Sequence, residues 1–371
     1  MSLYIGLMSG TSMDGVDAAL ISIENNDKPT LIDSLTIKYP PELKTRLQSL
    51  ALGCENELDL MGYCDREVAS TFSQLCLQLL EKQNLKPEHI NAIGSHGQTI
   101  RHRPSKDHGG PFTIQIGDPS FIAHHTGITT VADFRRKDMA AGGEGAPLAP
   151  AFHRALFGKK QHTTLVANIG GIANISVIPE RDPTIGYDTG PGNTLLDGWI
   201  RRHKGLPFDD NGNWARTGAV NSSLLEALLK HPYFHQPHPK STGLEEFNLT
   251  WVDAIIQLLE STPSPEDTQA TLVELTAQTL SAAANIHEQE AETLYICGGG
   301  ASNTFLMERL QSYLPLIAVK TSEAIGVHPD WVEAVGFAWL AHQTMHQLPG
   351  NDYFATGASQ PVVLGGIYFH G

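Results

Sequence analysis

With 371 residues, of which 41% are apolar and 18% charged, the chain is long enough for two ordinary domains with cores of their own. Its net charge of −15 at pH 7 excludes a nucleic-acid partner, because nothing basic would offset phosphate repulsion. No apolar run reaches a membrane span, no basic leader opens the chain, and the 4 cysteines form no CxxC pair, so a reduced cytoplasm without a membrane partner is expected.

Residues 3–9, 16–23 and 30–38 predict an antiparallel meander at the start of the chain. The turn between its first two strands reads Gly10-Thr11-Ser12-Met13-Asp14-Gly15-Val16-Asp17. Glycine lets backbone N–H groups approach a ligand closely, Thr11 and Ser12 add hydroxyl donors, and Asp14 and Asp17 suit a hydrated cation. These are the parts of a hairpin that grips phosphate and magnesium; a tight polar hairpin without a ligand is the other reading. Residues 67–83 then place Val68, Phe72, Leu75, Leu79 and Leu80 on one helical face. Two short strands, Ala92–Ser95 and Thr129–Ala132, each lead into a polar cluster. The first cluster carries His96, Gln98, Thr99 and Arg101, and the second Asp133, Arg135 and Arg136. Arginine takes a carboxylate in a two-pronged geometry, and Asp and Gln suit sugar hydroxyls, although any one member could be a solvated loop charge. Gly142–Pro147 reads as a hinge or substrate loop between two halves.

Near residue 163 the pattern restarts. Thr164–Ile178 is again strand, glycine turn and strand, with Asn168, Gly170 and Gly171 offering amides and backbone N–H groups without charge. A third strand, Thr184–Tyr187, runs to Asp188 at its edge, and Pro191 opens a helix that buries Leu195, Leu196, Trp199 and Ile200. Asp188 is either a general base or, with Thr189, a helix cap. A helix near 268–287 and the strand Thr293–Cys297 precede Gly298-Gly299-Gly300, where a helix opened by Ser302 begins and Asn303 follows. The triple glycine matches neither the Walker A pattern nor GxGxxG. Glu333 falls in the first turn of the helix His328–His346, where the helix dipole alone would account for it. The 17 histidines make no HExxH motif and read as scattered surface and core residues. The repeated unit argues for an α/β duplication, with a first domain over 1–160 onto which 346–371 packs back and a second over 161–345.

Gly10–Asp17, Ser95–Thr99, Asp188–Asn193 and Gly298–Gly300 follow one another as they do in the anhydro-N-acetylmuramic acid kinases, and the chain resembles that family over essentially its whole length. The resemblance implies a duplicated actin/hexokinase-like (RNase H-like) two-domain α/β fold with a central nucleotide cleft. It implies ATP and Mg²⁺ as cofactors, with phosphorylation of 1,6-anhydro-N-acetylmuramic acid at O6 and hydrolytic opening of its anhydro ring, in cell-wall recycling. On the same resemblance, residues 10–17 with Asn168, Gly170 and Gly171 embrace the phosphates, with Mg²⁺ near Asp14 and Asp17. Gly298, Gly299, Gly300 and Asn303 border the nucleotide, and Asp188 activates the attacking water. His96, Gln98, Thr99, Arg101, Asp133 and Arg135 position the sugar, and Glu333 adds a closing contact. A homodimer acting on small molecules is expected. Another sugar kinase, or a phosphohydrolase of the same superfamily, is the alternative reading. A chaperone-like ATPase would need a peptide-binding region for which no third domain is present.

Overall fold

The computed structural model describes residues 2–10, 12–24, 28–104, 109–159, 162–238 and 240–371. They form two compact units, one reaching to Leu156 and resuming over Trp331–Gly371, the other continuous over Phe157–Asp330.

The first unit is built on a sheet of β1 (Ser2–Ser9), β2 (Gly15–Ile23), β3 (Thr30–Lys38), β4 (Ile90–Arg103), β5 (Phe112–Ile116) and β6 (Thr130–Ala132), with a last strand, Gly366–Tyr368, beside β6. The expected meander is present: β1 pairs antiparallel with β2 (Leu3↔Ser22), and β2 with β3. β4 then lies parallel to β1 on its other side, and β6 parallel to β4. Strand alternation sends Ile5 and Leu7 to one face, where they bury with Val68, Phe72 and Leu79 of the helix Glu57–Lys82. Gly6 and Gly94 face the other way, where the helix Val332–Met345 lies so close that a Cβ at either glycine would collide with its backbone.

That helix is buried nearly all round, through Val332, Val335, Phe337, Ala338 and Leu340. The sequence-based division left it in the second domain, since its apolar pattern announces burial without naming the partner sheet. Contact with β1 and β4 instead groups residues 331–371 with the first unit. Gly142–Pro147, expected as a hinge or substrate loop between the halves, lies inside this unit. Its loop is tied to the buried carboxylate of Asp138, which accepts from Gly145 N (2.9 Å) and also from Asn351 and Thr356 (2.7 Å each).

The second unit repeats the plan with β7 (Thr163–Ile169), β8 (Ile172–Ile178), β9 (Ile185–Pro191), β10 (Ala291–Cys297) and β11 (Ala318–Thr321). β7, β8 and β9 form an antiparallel meander, and β10 lies parallel to β7 and β11 parallel to β10. The strand order third-second-first-fourth is the same in both sheets, continued by β6 in the first unit and by β11 in the second. This is the duplicated actin/hexokinase-like (RNase H-like) arrangement. The helix Pro265–Asn285 is the spine of the second core, with Leu272, Val273, Leu275 and Leu280 fully buried against Leu165, Ile175 and Leu294. Pro191 ends β9 rather than opening the helix, which begins at Asn193 after Gly192. No helix among the described residues is long and apolar enough to cross a membrane.

Candidate active site

In the first unit the turn after β1 is braced from beneath. Ser9 Oγ lies 2.7 Å from the Gly15 carbonyl and 2.6 Å from Gln98 Oε1, while Gln98 Nε2 donates to the Gly10 carbonyl at 3.1 Å. Ser9 and Gln98 are both buried, so the two ends of the turn hang on one pair of side chains. Met13, with φ 54°, turns inward and buries, Val16 is buried on β2, and Ser12 and Asp14 stay exposed. Lys44 pairs with Asp14, and Thr36 Oγ1 donates to Asp17 at 2.6 Å. Thr11 lies outside the described residues. Among the described residues no group of three or more His, Cys, Asp or Glu stands together as a metal cluster.

Deeper in this unit Arg135 is bonded to His96 and coupled in charge to Glu333, which in turn feels Asp17. The His96 Nδ1 lies 2.9 Å from the Gly97 carbonyl, so Nδ1 carries the proton. Its Nε2 then accepts from Arg135 Nε (3.0 Å) and Nη2 (2.9 Å). Burial first, and the guanidinium second, hold the His96 pKa well below the usual imidazole range, so this ring is a neutral acceptor. Burial pulls Arg135 down to about 10, against the opposing pull of Glu333 and Asp138. Burial likewise pushes Glu333 up, with Arg135 opposing and Asp17 reinforcing the rise. Arg135 also donates to the Gly145 carbonyl at 2.8 Å.

The remaining expected sugar contacts scatter. Arg101 is spent on the Ala51 carbonyl (2.6 Å) and on Glu57, and Thr99 Oγ1 accepts from Gln115 at 3.1 Å. Asp133, with φ 63°, pairs with Arg136 at 3.1 Å and lines a cavity of about 70 Å³ with His96, Ser95 and Asp65. The Ser95 hydroxyl there is buried without a partner among the described residues. Burial is the main cause of the raised Asp133 and Asp65 pKa values. Asp65 and Lys44 had no motif to flag them, since each is an ordinary helix residue in sequence.

In the second unit the N terminus of the helix Asn193–Lys204 takes the carbonyls of the glycine turn. Asn193 N donates to Gly170 O at 2.7 Å, Gly192 N to Gly171 O at 2.9 Å, and Asn193 Nδ2 to Ile169 O at 3.1 Å. Gly298, with φ +77°, follows β10, and a side chain there would collide with Asn168 Oδ1. Gly300 packs against Ile169, whereas Gly299 has only Asn193 Nδ2, at 3.7 Å, near the place of a Cβ. The helix cap is Asn303, not Ser302: its side chain accepts from Leu306 N at 3.0 Å. Asn303 is itself buried.

Asp188 lies within β9, short of its end, and caps no helix. Tyr233, Lys240, Ser241 and Thr242 between them meet both its backbone and its carboxylate. Its carboxylate Oδ2 accepts from Thr242 N (3.0 Å) and Ser241 Oγ (3.1 Å), its N–H donates to Lys240 O (3.0 Å), and its carbonyl accepts from Tyr233 Oη (2.7 Å). Burial raises the Asp188 pKa, with the Thr242 and Ser241 bonds opposing. Tyr233, Ser241 and Thr242 are more than 40 residues further along the chain, in a loop whose Pro- and His-rich sequence gave no sign of this role.

A family model for anhydro-N-acetylmuramic acid kinase matches residues 2–370. The chain belongs to this family. Among its relatives, the anhydro-N-acetylmuramic acid kinase of Saccharophagus degradans is 49% identical over 99% of both chains. That of Coxiella burnetii is 50% identical over 99% of this chain and 97% of its own. Among solved structures, component A of (R)-2-hydroxyglutaryl-CoA dehydratase from Acidaminococcus fermentans aligns over 91% of this anhydro-N-acetylmuramic acid kinase family member and 96% of its own chain, with 11% identity and a TM-score of 0.48.

Proposed function

We propose that this chain phosphorylates 1,6-anhydro-N-acetylmuramic acid at O6 with ATP while water opens the anhydro ring, giving N-acetylmuramic acid 6-phosphate and ADP for cell-wall recycling. It is a phosphotransferase with an alcohol acceptor, as the family match over 2–370 carries. Water attacks the anomeric carbon and passes a proton to Asp188; the bond from that carbon to O6 breaks, and O6 takes the γ-phosphoryl group as ADP departs. The setting of Asp188 supports the base role, because Oδ2 is pinned by two donors and its raised proton affinity suits a base better than an ordinary exposed carboxylate. Arg135 and neutral His96 support a role in orienting the sugar, with Glu333 and Asp133 as acceptors for hydroxyls. Arg101, already paired with Glu57, supports the fold around them rather than a direct contact.

The Gly10–Gly15 turn is proposed to meet phosphate through backbone N–H groups and the Ser12 hydroxyl. In the Gly170–Gly171 turn the carbonyls are spent on the helix, so N–H groups are what it can offer a phosphate. The carboxylates of Asp14 and Asp17 fit the hard oxygen donors that Mg²⁺ prefers, and the ion would neutralise charge on the phosphates when bound. The exposed Gly299, with only Asn193 Nδ2 at 3.7 Å from the place of a Cβ, suits the nucleotide. A cytoplasmic homodimer completes the proposal.

ATP turnover without sugar is expected to be slow and to rise when the anhydro sugar is added, followed as ADP and sugar phosphate by mass spectrometry. In ¹⁸O-water the label should enter the sugar at its anomeric carbon. Equal ADP release with and without sugar, or label in the phosphate, would favour a phosphohydrolase instead.

A further inference from the structure

A cavity of about 410 Å³ in the second unit lies beside Asp188 but is no part of the chemistry above. Its walls include Tyr187 and Phe234, and strand alternation turns Tyr187 to the opposite face of β9 from Asp188. The volume is in the range of sites for small organic ligands.

One part of the wall is apolar, from Leu229, Phe234, Ala283 and Ile286. Another is cationic or donating: Lys240, His235, His238 and Tyr187. No Asp or Glu among the described residues lines the cavity, although acidic residues outnumber basic ones by 40 to 25 in the chain. Lys240 Nζ donates to the Tyr233 carbonyl (2.9 Å) and the Phe234 carbonyl (3.3 Å) and stands 4.5 Å from the centre of the Tyr233 ring, so what it offers a ligand is its positive charge. The Tyr187 hydroxyl is buried and has no hydrogen-bond partner among the described residues, which is costly unless an acceptor is supplied. The His238 ring stands 4.8 Å from the Tyr187 ring and completes this polar end.

We propose that this cavity is an effector site for a small apolar organic anion, a ring or short alkyl body bearing one carboxylate-like group. The apolar wall takes the body, and Lys240 and Tyr187 take the anion. Occupancy reaches the catalytic strand through two covalent neighbours of bonded atoms. Tyr187 precedes Asp188 on β9, and Lys240, whose carbonyl accepts from Asp188 N, precedes the Ser241 and Thr242 donors to its carboxylate. A bound anion therefore changes kcat more than the KM for ATP.

The test uses the whole protein with saturating ATP, so that the nucleotide site is filled, and 1-anilinonaphthalene-8-sulfonate as fluorescent probe. One saturable probe per chain is expected. 4-Phenylbutyrate should displace it roughly tenfold better than neutral 4-phenylbutan-1-ol, about 1.4 kcal/mol of charge recognition. Ala283→Trp, which fills the cavity, should abolish binding, and Lys240→Gln, which keeps a donor but loses the charge, should weaken it severalfold. His238→Gln serves as a second polar variant should Ala283→Trp fail to fold, judged by circular dichroism. No saturable binding, or binding indifferent to all three substitutions, overturns the proposal. So does binding that leaves kcat unchanged, or loss of a native dimer in Ala283→Trp, which would make the cavity a subunit interface. The fluorescence readout is independent of catalysis, so failure of the kinase reading would not be mistaken for failure of this one.

Discussion

At Asp188 the side chain's surroundings separate chemistry from stability. Burial raises its pKa above the unfolded value, so the folded state binds this proton more readily than the unfolded chain does. The associated stability is present at low pH and is lost as pH rises through the folded value. Asn cannot ionise, and its amide oxygen can still accept from Ser241 and Thr242. Asp188→Asn is therefore expected to lower kcat by roughly 10²–10⁴-fold while the melting temperature at neutral pH does not fall. A variant that melts early, or one that keeps its turnover, would remove Asp188 as the base. The triple glycine divides just as sharply. Gly299→Val meets only Asn193 Nδ2, at an ordinary contact distance of 3.7 Å, and should fold normally while raising the KM for ATP about tenfold, or 1.4 kcal/mol. Gly300→Val drives into Ile169 and should cost roughly 1–3 kcal/mol of stability by overpacking. Equal effects of the two on denaturant midpoint and nucleotide affinity would contradict this assignment.

Elements were more legible than their ends. The opening meander, its repeat after residue 163 and the strand before the triple glycine follow from alternating apolar runs and glycine turns, which are local signals. The ends depend on which neighbour satisfies a terminal group. Asn303 rather than Ser302 caps its helix because the chain first makes a short 3₁₀ turn over Gly299–Ser302. Gly142–Pro147 shows the same limit, since flexible composition hides a rigid anchor. Asp138 is fully buried and gathers donors from Gly145, Asn351 and Thr356. Asp138→Asn would set an amide N–H₂ against some of those donors, at a cost of roughly 2–4 kcal/mol. Chemical denaturation reads that loss directly, and an unchanged midpoint would mean that the loop does not depend on this carboxylate.

For the molecule as a whole, the two units differ in how the chain builds them. Phe157–Asp330 is continuous and carries its own core, whereas the first unit is closed by Trp331–Gly371, which supplies the helix over Gly6 and Gly94 and the strand beside β6. A fragment of residues 157–330 should unfold cooperatively by circular dichroism, while a chain ending at 330 should lose the transition of its first unit and keep that of the second. A single lost transition for both would show that neither unit folds alone. By itself, the sequence determined the α/β duplication, the glycine turns, the family and most of the residues proposed for the site, because these rest on local pattern and on motifs read in order. Only the tertiary structure decided that the helix Val332–Met345 belongs to the first sheet, that Gln98 braces the turn while Arg101 is consumed by Glu57, and that a distant loop from Tyr233 to Thr242 grips Asp188. Periodicity reports that a face is buried or a side chain is polar, but the partner that meets it is chosen by packing between residues far apart in the chain.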